Sequence, residues 1–409
     1  MADAESAVEG LAVVAGCYDG TLHGWRDEKL AFAYQAQYGC IKAMAVSDVS
    51  LSKANVRGNR VLLAMGGTAE AVHTYDLAGQ RELVQLEEHE NTITALCFVG
   101  NSFLLSGGED GKLCVWDCKD WALMTVLKGH KPGPVTSVAA HPIGKVALST
   151  SRDNSLRMWN LETARPASRN RLEKYKTLDQ ACWSATGDQY AVVADDRVVL
   201  VFRIEDTSGQ PYRVIEPGCR VNALTLATPA GEVVLGLEDG RVLVYTAEAE
   251  SAPLEMQCEK RVRSVYAVHC SRDGTALAKL DTVYAALSNG AIEIWNGLAS
   301  QKPEKSDQEL RLGASAHLTC MVACPLGAQA IAVTSASKAA KKKAKKQKHK
   351  QQKVHTETAK ESEAKHTKAK GQGKQKQGNG AKRARPGRQE KEQQRNSPGA
   401  SKRQRSKKR

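Results

Sequence analysis

Three things are scarce in this sequence, and each scarcity excludes something. Aromatic residues make up 5% of the chain, with only four Phe, so any core must rest on aliphatic side chains. No apolar run approaches the ~20 residues that a membrane-spanning helix needs. The opening MADAESAVEG carries acids where a secretory signal would carry bases. The eleven cysteines are an odd number without a close CxxC pair, and the spacings Cys114 to Cys118 and Cys320 to Cys324 are not matched by His partners at zinc-ligand spacing. Neither a zinc site nor a disulfide framework is expected. A reduced, soluble, intracellular protein without membrane contact is.

A further scarcity is local. From Ala336 onward there is no Phe, Trp, Tyr or Asp, and Val354 is the lone large aliphatic residue. The same stretch holds 27 Lys and Arg against 5 Glu, a net of +22, and cannot build a core. The preceding residues keep 32 basic and 40 acidic side chains, a net of −8, so the overall +14 hides a mildly acidic body joined to a polycationic arm. The division expected is a globular domain over residues 1–328 and a disordered Lys/Arg-rich tail over 329–409.

What the body does contain is a repeat. Short apolar runs alternate with turn residues, and an acid, a small residue, a few alternating residues and an aromatic recur together, as in EDGKLCVWD ending at Asp117 and RDNSLRMWN ending at Asn160. The aromatics Trp25, Tyr75, Trp116, Trp159, Phe202, Tyr245 and Trp295 follow one another at 50, 41, 43, 43, 43 and 50 residues. That period is close to the roughly 40–45 residues of a four-stranded propeller blade. The fold class expected is therefore all-β, a seven-bladed WD40 β-propeller. In one unit the strands fall at Thr92 to Phe98, Ser102 to Ser106, Lys112 to Trp116 and Trp121 to Leu127, with GGEDG as the turn between second and third. The chain enters at a second-strand position, Leu11 to Gly16, so the run 317–324 is expected to supply the missing innermost strand by pairing with the N-terminal strands of 11–35.

Two sets of side chains invite a catalytic reading. His89, Ser106, Asp110 and Trp116, and one period later His130, Ser149, Asp153 and Trp159, contain the residue types of a hydrolytic triad. Their recurrence at the repeat period, each time with a Trp whose indole N–H needs a buried acceptor, favours a structural hydrogen-bond chain. Asp239 and Tyr245 lack an upstream His, and Asn289 replaces the acid before Trp295. GGTAEA at Gly66 and GGEDG at Gly107 read as hairpin turns whose glycines serve backbone geometry, not as phosphate loops. The paired carboxylates Asp195 and Asp196, and Glu87 and Glu88, read as solvated turn charges. No enzyme class, cofactor or metal is supported.

The tail carries the other functional signal. Its basic clusters are Lys341, Lys342, Lys343, Lys345 and Lys346; Lys382, Arg383 and Arg385; and Lys402, Arg403, Arg405, Lys407, Lys408 and Arg409. Such an arm binds polyanions through counterion release, with steep salt dependence and little base preference because it lacks aromatics. The same clusters suit recognition by import receptors. Ser397 before Pro398 is a candidate phosphorylation site that would lower local charge. On the body, loops near Arg152, Arg220, Arg263 and His317 are candidate protein contacts.

The segment from Glu90 to Leu161, ENTITALCFVGNSFLLSGGEDGKLCVWDCKDWALMTVLKGHKPGPVTSVAAHPIGKVALSTSRDNSLRMWNL, resembles the PAK-interacting protein family of nucleolar WD-repeat proteins, which includes the yeast factor named for maintenance of killer virus. ACWSATGDQYAVV from Ala181 is similar to that family's following blade. The resemblance implies a non-catalytic scaffold in maturation of the large ribosomal subunit precursor, located in the nucleus and nucleolus. The partners it implies are precursor-particle proteins and RNA, with the chain a monomer inside a larger complex. The alternative it implies is a signalling scaffold that binds and restrains a p21-activated protein kinase.

Overall fold

The computed structural model describes residues 11–325 apart from 27–28, 37–38, 48–60, 78, 80, 131–132, 207, 228–230, 247–251, 271–278, 299–305, 307 and 313–316. The chain divides into a unit Met1–Ala340 and a unit Lys341–Arg409. The second unit, and with it every basic cluster of the tail, lies outside the described residues.

All regular structure among the described residues is β, in seven four-stranded antiparallel sheets. Each sheet is one blade of a propeller. From the innermost strand outward, blade 1 is Leu318–Pro325, Leu11–Cys17, Thr21–Arg26 and Lys29–Gln35. Blade 2 is Ile41–Val46, Leu62–Gly67, Val72–Asp76 and Arg81–Leu86; blade 3 is Ile93–Val99, Phe103–Gly108, Lys112–Asp117 and Leu123–Lys128. Blade 4 is Val135–Ala140, Val146–Ser151, Ser155–Asn160 and Arg165–Arg171; blade 5 is Leu178–Trp183, Gln189–Ala194, Val198–Arg203 and Arg213–Ile215. Blade 6 is Val221–Leu226, Val233–Leu237, Arg241–Tyr245 and Leu254–Gln257; blade 7 is Val262–Cys270, Lys279–Leu287, Ala291–Trp295 and Gln308–Arg311.

The repeat is legible in this architecture. All seven spaced aromatics stand in the third strand of their blade, six of them buried and Tyr245 half-buried. The acid of the motif ties the turn before that strand. Asp19, Asp110, Asp153 and Asp239 each accept the backbone N–H two residues on at 2.9–3.1 Å, and Asn289 does the same at 3.2 Å. In blade 3 the third strand starts at Lys112 as expected, the other three start one or two residues later than sequence reading places them, and all four end one or two residues later. Trp121 is in the turn, with φ 62° and its N–H on the Asp117 carbonyl at 2.8 Å.

Ring closure is by main-chain pairing. Leu318–Pro325 lies antiparallel to Leu11–Cys17, from Leu11 opposite Pro325 to Cys17 opposite Leu318. This pairing gives Leu11–Cys17 a partner on the side that an open stack would leave as a bare edge. Between blades the packing is aliphatic, one apolar cluster per seam. Val13, Trp25, Ile292 and Ile294 join blades 7 and 1, and Val14, Leu22, Ile41 and Leu63 join blades 1 and 2. The remaining five seams are built in the same way.

The glycines read as hairpin turn residues have a different role. Gly66, Gly67, Gly107 and Gly108 belong to second strands. A Cβ at Gly66 would come within 2.8 Å of Ile93, and one at Gly107 within 2.6 Å of Val135. Ile93 and Val135 open the innermost strand of the next blade and are fully buried. The missing side chain is therefore a socket for the neighbouring blade's first apolar residue. Gly16 receives Ile41 and Gly236 receives Val262 in the same way.

Candidate functional site

Two polar networks lie in blades 3 and 4, and their geometry is structural. The His89 Nε2 and the Trp116 indole N–H both meet the Ser106 hydroxyl, at 2.8 and 2.9 Å, while His89 Nδ1 meets Asp110 at 3.0 Å. The chain runs from turn to second strand to third strand, and Ser106 is fully buried. In blade 4 His130 Nε2 and the Trp159 indole converge on Ser149 at 2.6 and 2.7 Å. Here Asp153 is 3.7 Å from His130 Nδ1, and Ser155 stands between them, 3.1 Å from His130 and donating to Asp153. Sequence reading named Asp153 and missed Ser155, because in blade 3 the equivalent position, two residues after the acid, is Lys112.

A nucleophilic serine must be reachable, and neither is. Ser106 and Ser149 have no exposed surface, and each is committed to an indole donor. Burial pushes His130 down to about 4, assisted by the Arg157 charge, so that it is neutral at ordinary pH. Burial alone would raise the Asp110 and Asp153 carboxyls. Hydrogen bonds from His89 and the Lys112 N–H, and from Ser155 in blade 4, outweigh it and hold both below the usual range.

The face that these His and Asp residues approach carries a second, sevenfold feature. In every blade the innermost strand is bulged near its start: two of its residues oppose one on the second strand. The residues at the bulges are Thr319, Lys42, Thr94, Thr136, the pair Asp179 and Gln180, Asn222 and Arg263, taken from blade 1 to blade 7. Around them, the first residue after each second strand donates its N–H to the carbonyl just before the innermost strand. Tyr18 to His317, Thr68 to Cys40, Glu109 to Thr92, Arg152 to Pro134, Asp195 to Thr177, Glu238 to Arg220 and Ser288 to Arg261 are all 2.9–3.3 Å. Together these residues form the mouth of the propeller's central channel on this face.

At five seams the bulge residue latches the next blade. Thr319 donates to the Ile41 carbonyl, Thr94 to Val135, Thr136 to Leu178, Gln180 to Asn222 and Asn222 to Val262, at 2.5–2.9 Å. At the other two, the position holds Lys42 and Arg263. Lys42 pairs loosely with Glu109 at 3.4 Å, both side chains being exposed. Arg263 is half-buried, and burial together with the nearby Arg261 and Arg220 charges lowers it. Across the mouth, burial and the adjacent Asp196 raise Asp179. Asp196 in turn bonds Arg220 at 3.0 Å, and Arg261 bonds Glu238 at 3.0 Å.

This mouth brings together residues that sequence reading had singled out separately. Arg152, Arg220 and Arg263 stand on its rim, as does His317, whose ring nitrogen meets the Ser288 carbonyl at 3.1 Å. Asp195 is not a solvated turn charge: its carboxylate accepts the Lys176 and Thr177 N–H groups at 2.8 and 2.9 Å. Both it and Asp196 have positive φ, at 48° and 60°, a conformation that Asp tolerates better than most side chains. The bulge ring itself leaves a signal in sequence: each innermost strand opens apolar then polar, as IKA, ITA, VTS, LDQA, VNA, VRS and LTC. No group of three or more His, Cys, Asp or Glu among the described residues could hold a metal ion.

The WD domain, G-beta repeat, matches residues 80–117 and 121–160, segments that contain all eight residues of the two networks. Over 317 residues the chain is 31% identical to the p21-activated protein kinase-interacting protein 1-like of Xenopus laevis, covering 77% of this chain and 82% of that one. The chain belongs to this family. It is also similar to Protein MAK11 of Saccharomyces cerevisiae, 37% identical over 241 residues, 53% of this chain and 54% of that one. Similarity to the Shk1 kinase-binding protein 15 of Schizosaccharomyces pombe is 23% over 324 residues, 76% of this chain and 84% of that one. Within this family the chain is a WD-repeat scaffold, and the networks of blades 3 and 4 belong to the repeat.

Proposed function

We propose that this member of the family is a non-catalytic scaffold for maturation of the large ribosomal subunit precursor, acting in the nucleolus. Its propeller docks a protein of the particle while the basic tail holds precursor RNA. The observation that carries the reading is the division of charge along the chain, −8 over residues 1–335 against +22 from Ala336 on. A dense, sequence-indifferent polycation suits a particle rich in RNA phosphate, whereas an acidic disc repels it and is left for protein contact. The resemblance to nucleolar WD-repeat proteins points the same way. Depleting the protein is expected to stall large-subunit precursor processing, and replacing the tail lysines and arginines by Gln is expected to abolish RNA crosslinking and nucleolar retention. Normal precursor processing after depletion would reject the ribosomal role.

The second reading rests on the names of relatives that match most of the body, which describe proteins interacting with p21-activated or Shk1 kinases. A kinase-binding scaffold would act through the propeller alone. Kinase capture by the tail-substituted protein, together with normal ribosomal precursors, would favour it.

A further inference from the structure

The outermost strands of the seven blades are not equivalent. Six of them carry one basic residue or none: Lys29, Arg81, Lys128, Arg213 and Arg311 in blades 1, 2, 3, 5 and 7, and none in blade 6. That of blade 4, RPASRNR, carries Arg165, Arg169 and Arg171 with no acid. It also buries nothing. Six of its seven residues are exposed, and the nearest buried side chain, Leu172, follows it. By contrast, Leu86, Leu127, Ile215, Met256 and Leu310 anchor the outer strands of blades 2, 3, 5, 6 and 7 in the core.

These arginines meet a fourth within the blade. Arg169 stands directly opposite Arg157 on the third strand, and like charges in that relation destabilise a sheet. Arg157 is buried; it donates to the Gly129 carbonyl at 2.6 Å, while its Nε has no acceptor. Burial and the Arg169 charge lower it, and Asp153 opposes them. Asp153, however, accepts from the Ser155 N–H and hydroxyl and not from a guanidinium. Of the other nearby acids, Glu162 pairs with Lys145 at 2.9 Å and Glu173 is exposed beyond the strand's end. On the blade 5 side, the loop that accepts from Asn170 at the Gly209 carbonyl carries the exposed Glu205 and Asp206. Blade 3's outer strand, on the side of Gly129, has no acid. Among the described residues no ion pair engages any of the four arginines; Arg171 donates to the Asn154 side chain at 2.9 Å.

We propose that the outer strand of blade 4 is a contact for the phosphodiester backbone of RNA, made by Arg165, Arg169 and Arg171 on an otherwise acidic body. Protection of a free edge does not require three arginines: Pro166 and a bulge beside it already blunt this one, and the other outer strands manage with fewer charges. Arg169 and Arg171 are two residues apart, about 6.6 Å along an extended strand, close to the separation of successive phosphates in an extended nucleic-acid chain. The bulge turns Arg165 to the strand's other side, and the small Ala167 and Ser168 between let a backbone approach. A guanidinium fork matches phosphate oxygens, and a phosphate over Arg169 would offset its opposition to Arg157. An acidic peptide offers the same sign of charge, but a peptide on a sheet edge binds through main-chain ladder bonds, which Pro166 and the bulge interrupt. Three contacts are too few to hold RNA alone, so the strand acts on RNA that the tail already binds. The proposal deepens the ribosomal reading and rests on it for the source of the RNA.

The test uses the full-length protein and a long oligouridine, followed by fluorescence anisotropy over a range of salt. R165Q/R169Q/R171Q is compared with K29Q/R81Q/R311Q, which removes the same charge from the exposed outer strands of blades 1, 2 and 7. The tail is common to both. The blade 4 variant should bind about tenfold more weakly and lower the slope of log affinity against log salt by about 2, whereas the control should match the wild type. R165K/R169K/R171K should keep the slope while losing part of the affinity. All three variants should fold, and melting temperature should be unchanged or raised by Arg169→Gln, since that substitution removes a like-charge opposition. In the wild type, RNA crosslinks should map to residues 158–171 as well as to the tail. Equal losses for the two Gln variants, or crosslinks confined to the tail, would overturn the proposal. So would a polyglutamate peptide whose binding needs the three arginines while oligouridine binding does not. Each of these results leaves the ribosomal reading intact, since that is decided by precursor processing after depletion.

Discussion

Blades 3 and 4 and blades 7, 1 and 2 treat polar side chains in opposite ways. In the first pair a His, a Ser and a Trp are joined inside each sheet, the acid completing the chain directly in blade 3 and through Ser155 in blade 4. Among the described residues around the closure seam no His–Ser–Trp chain of this kind is found, and the rim beside them holds Arg263, Lys42 and the exposed Tyr18. Buried polar groups must be satisfied where they stand, whereas groups at a rim can be left for another molecule. The polar side chains of the first region are consequently expected to contribute more to stability than those of the second.

The largest effect expected is at the seam. Removing Leu318–Pro325 strips the innermost strand from blade 1 and exposes the edge of Leu11–Cys17, together with the apolar faces around Val13 and Val14. The truncated protein is expected to unfold or aggregate, seen by scattering and loss of a cooperative melt. A monomeric truncation with an unchanged melting temperature would remove the seam from the account of stability.

Next comes Ser149→Ala, which leaves the Trp159 indole and His130 Nε2 without their shared partner in a buried site. A loss of about 2–3 kcal/mol in denaturant unfolding is expected, against less than about 0.5 kcal/mol for Lys42→Ala at the mouth. Similar values for the two would erase the contrast between regions.

Acid should act on the first region in the same direction. Because burial lowers His130 to about 4, the unfolded chain takes up a proton near pH ~6.5 that the folded chain refuses until much lower pH. The stability contributed is complete above about pH 7 and falls as pH drops toward 4, by about 3 kcal/mol in all. Unfolding of His130→Gln, compared with wild type across that range, should lack this component of the slope. A parallel pair of curves would show that His130 is not the group responsible.

The smallest effect sharpens the comparison at the seams. Thr136→Val keeps shape and removes the latch to the Leu178 carbonyl, and is expected to cost about 1 kcal/mol. Lys42→Thr places a latch residue where there is none and should be neutral or slightly stabilising.

Much of this was legible beforehand for identifiable reasons. The seven aromatics occupy equivalent third strands because each must fill the same space against a neighbouring blade, and a fixed space imposes a fixed period. The two networks were legible because they recur as whole sets. Ser155 was not, since its role exists only where the neighbouring acid falls 3.7 Å from its histidine. Gly66 and Gly107 read as turn residues because a glycine in sequence looks the same whether its backbone or its missing Cβ matters. Asp195 looked like a surface charge because the N–H groups it accepts lie 18 and 19 residues earlier in the chain.

The sequence by itself determined the number of blades, the division of charge and the composition of each core, because periodicity, sign and hydrophobicity are properties of residues taken in order. Only the tertiary structure decided which residues share the channel mouth. Lys42, Asp179 and Arg263 are far apart along the chain, and what places them together is a bulge repeated in seven strands and a ring that closes.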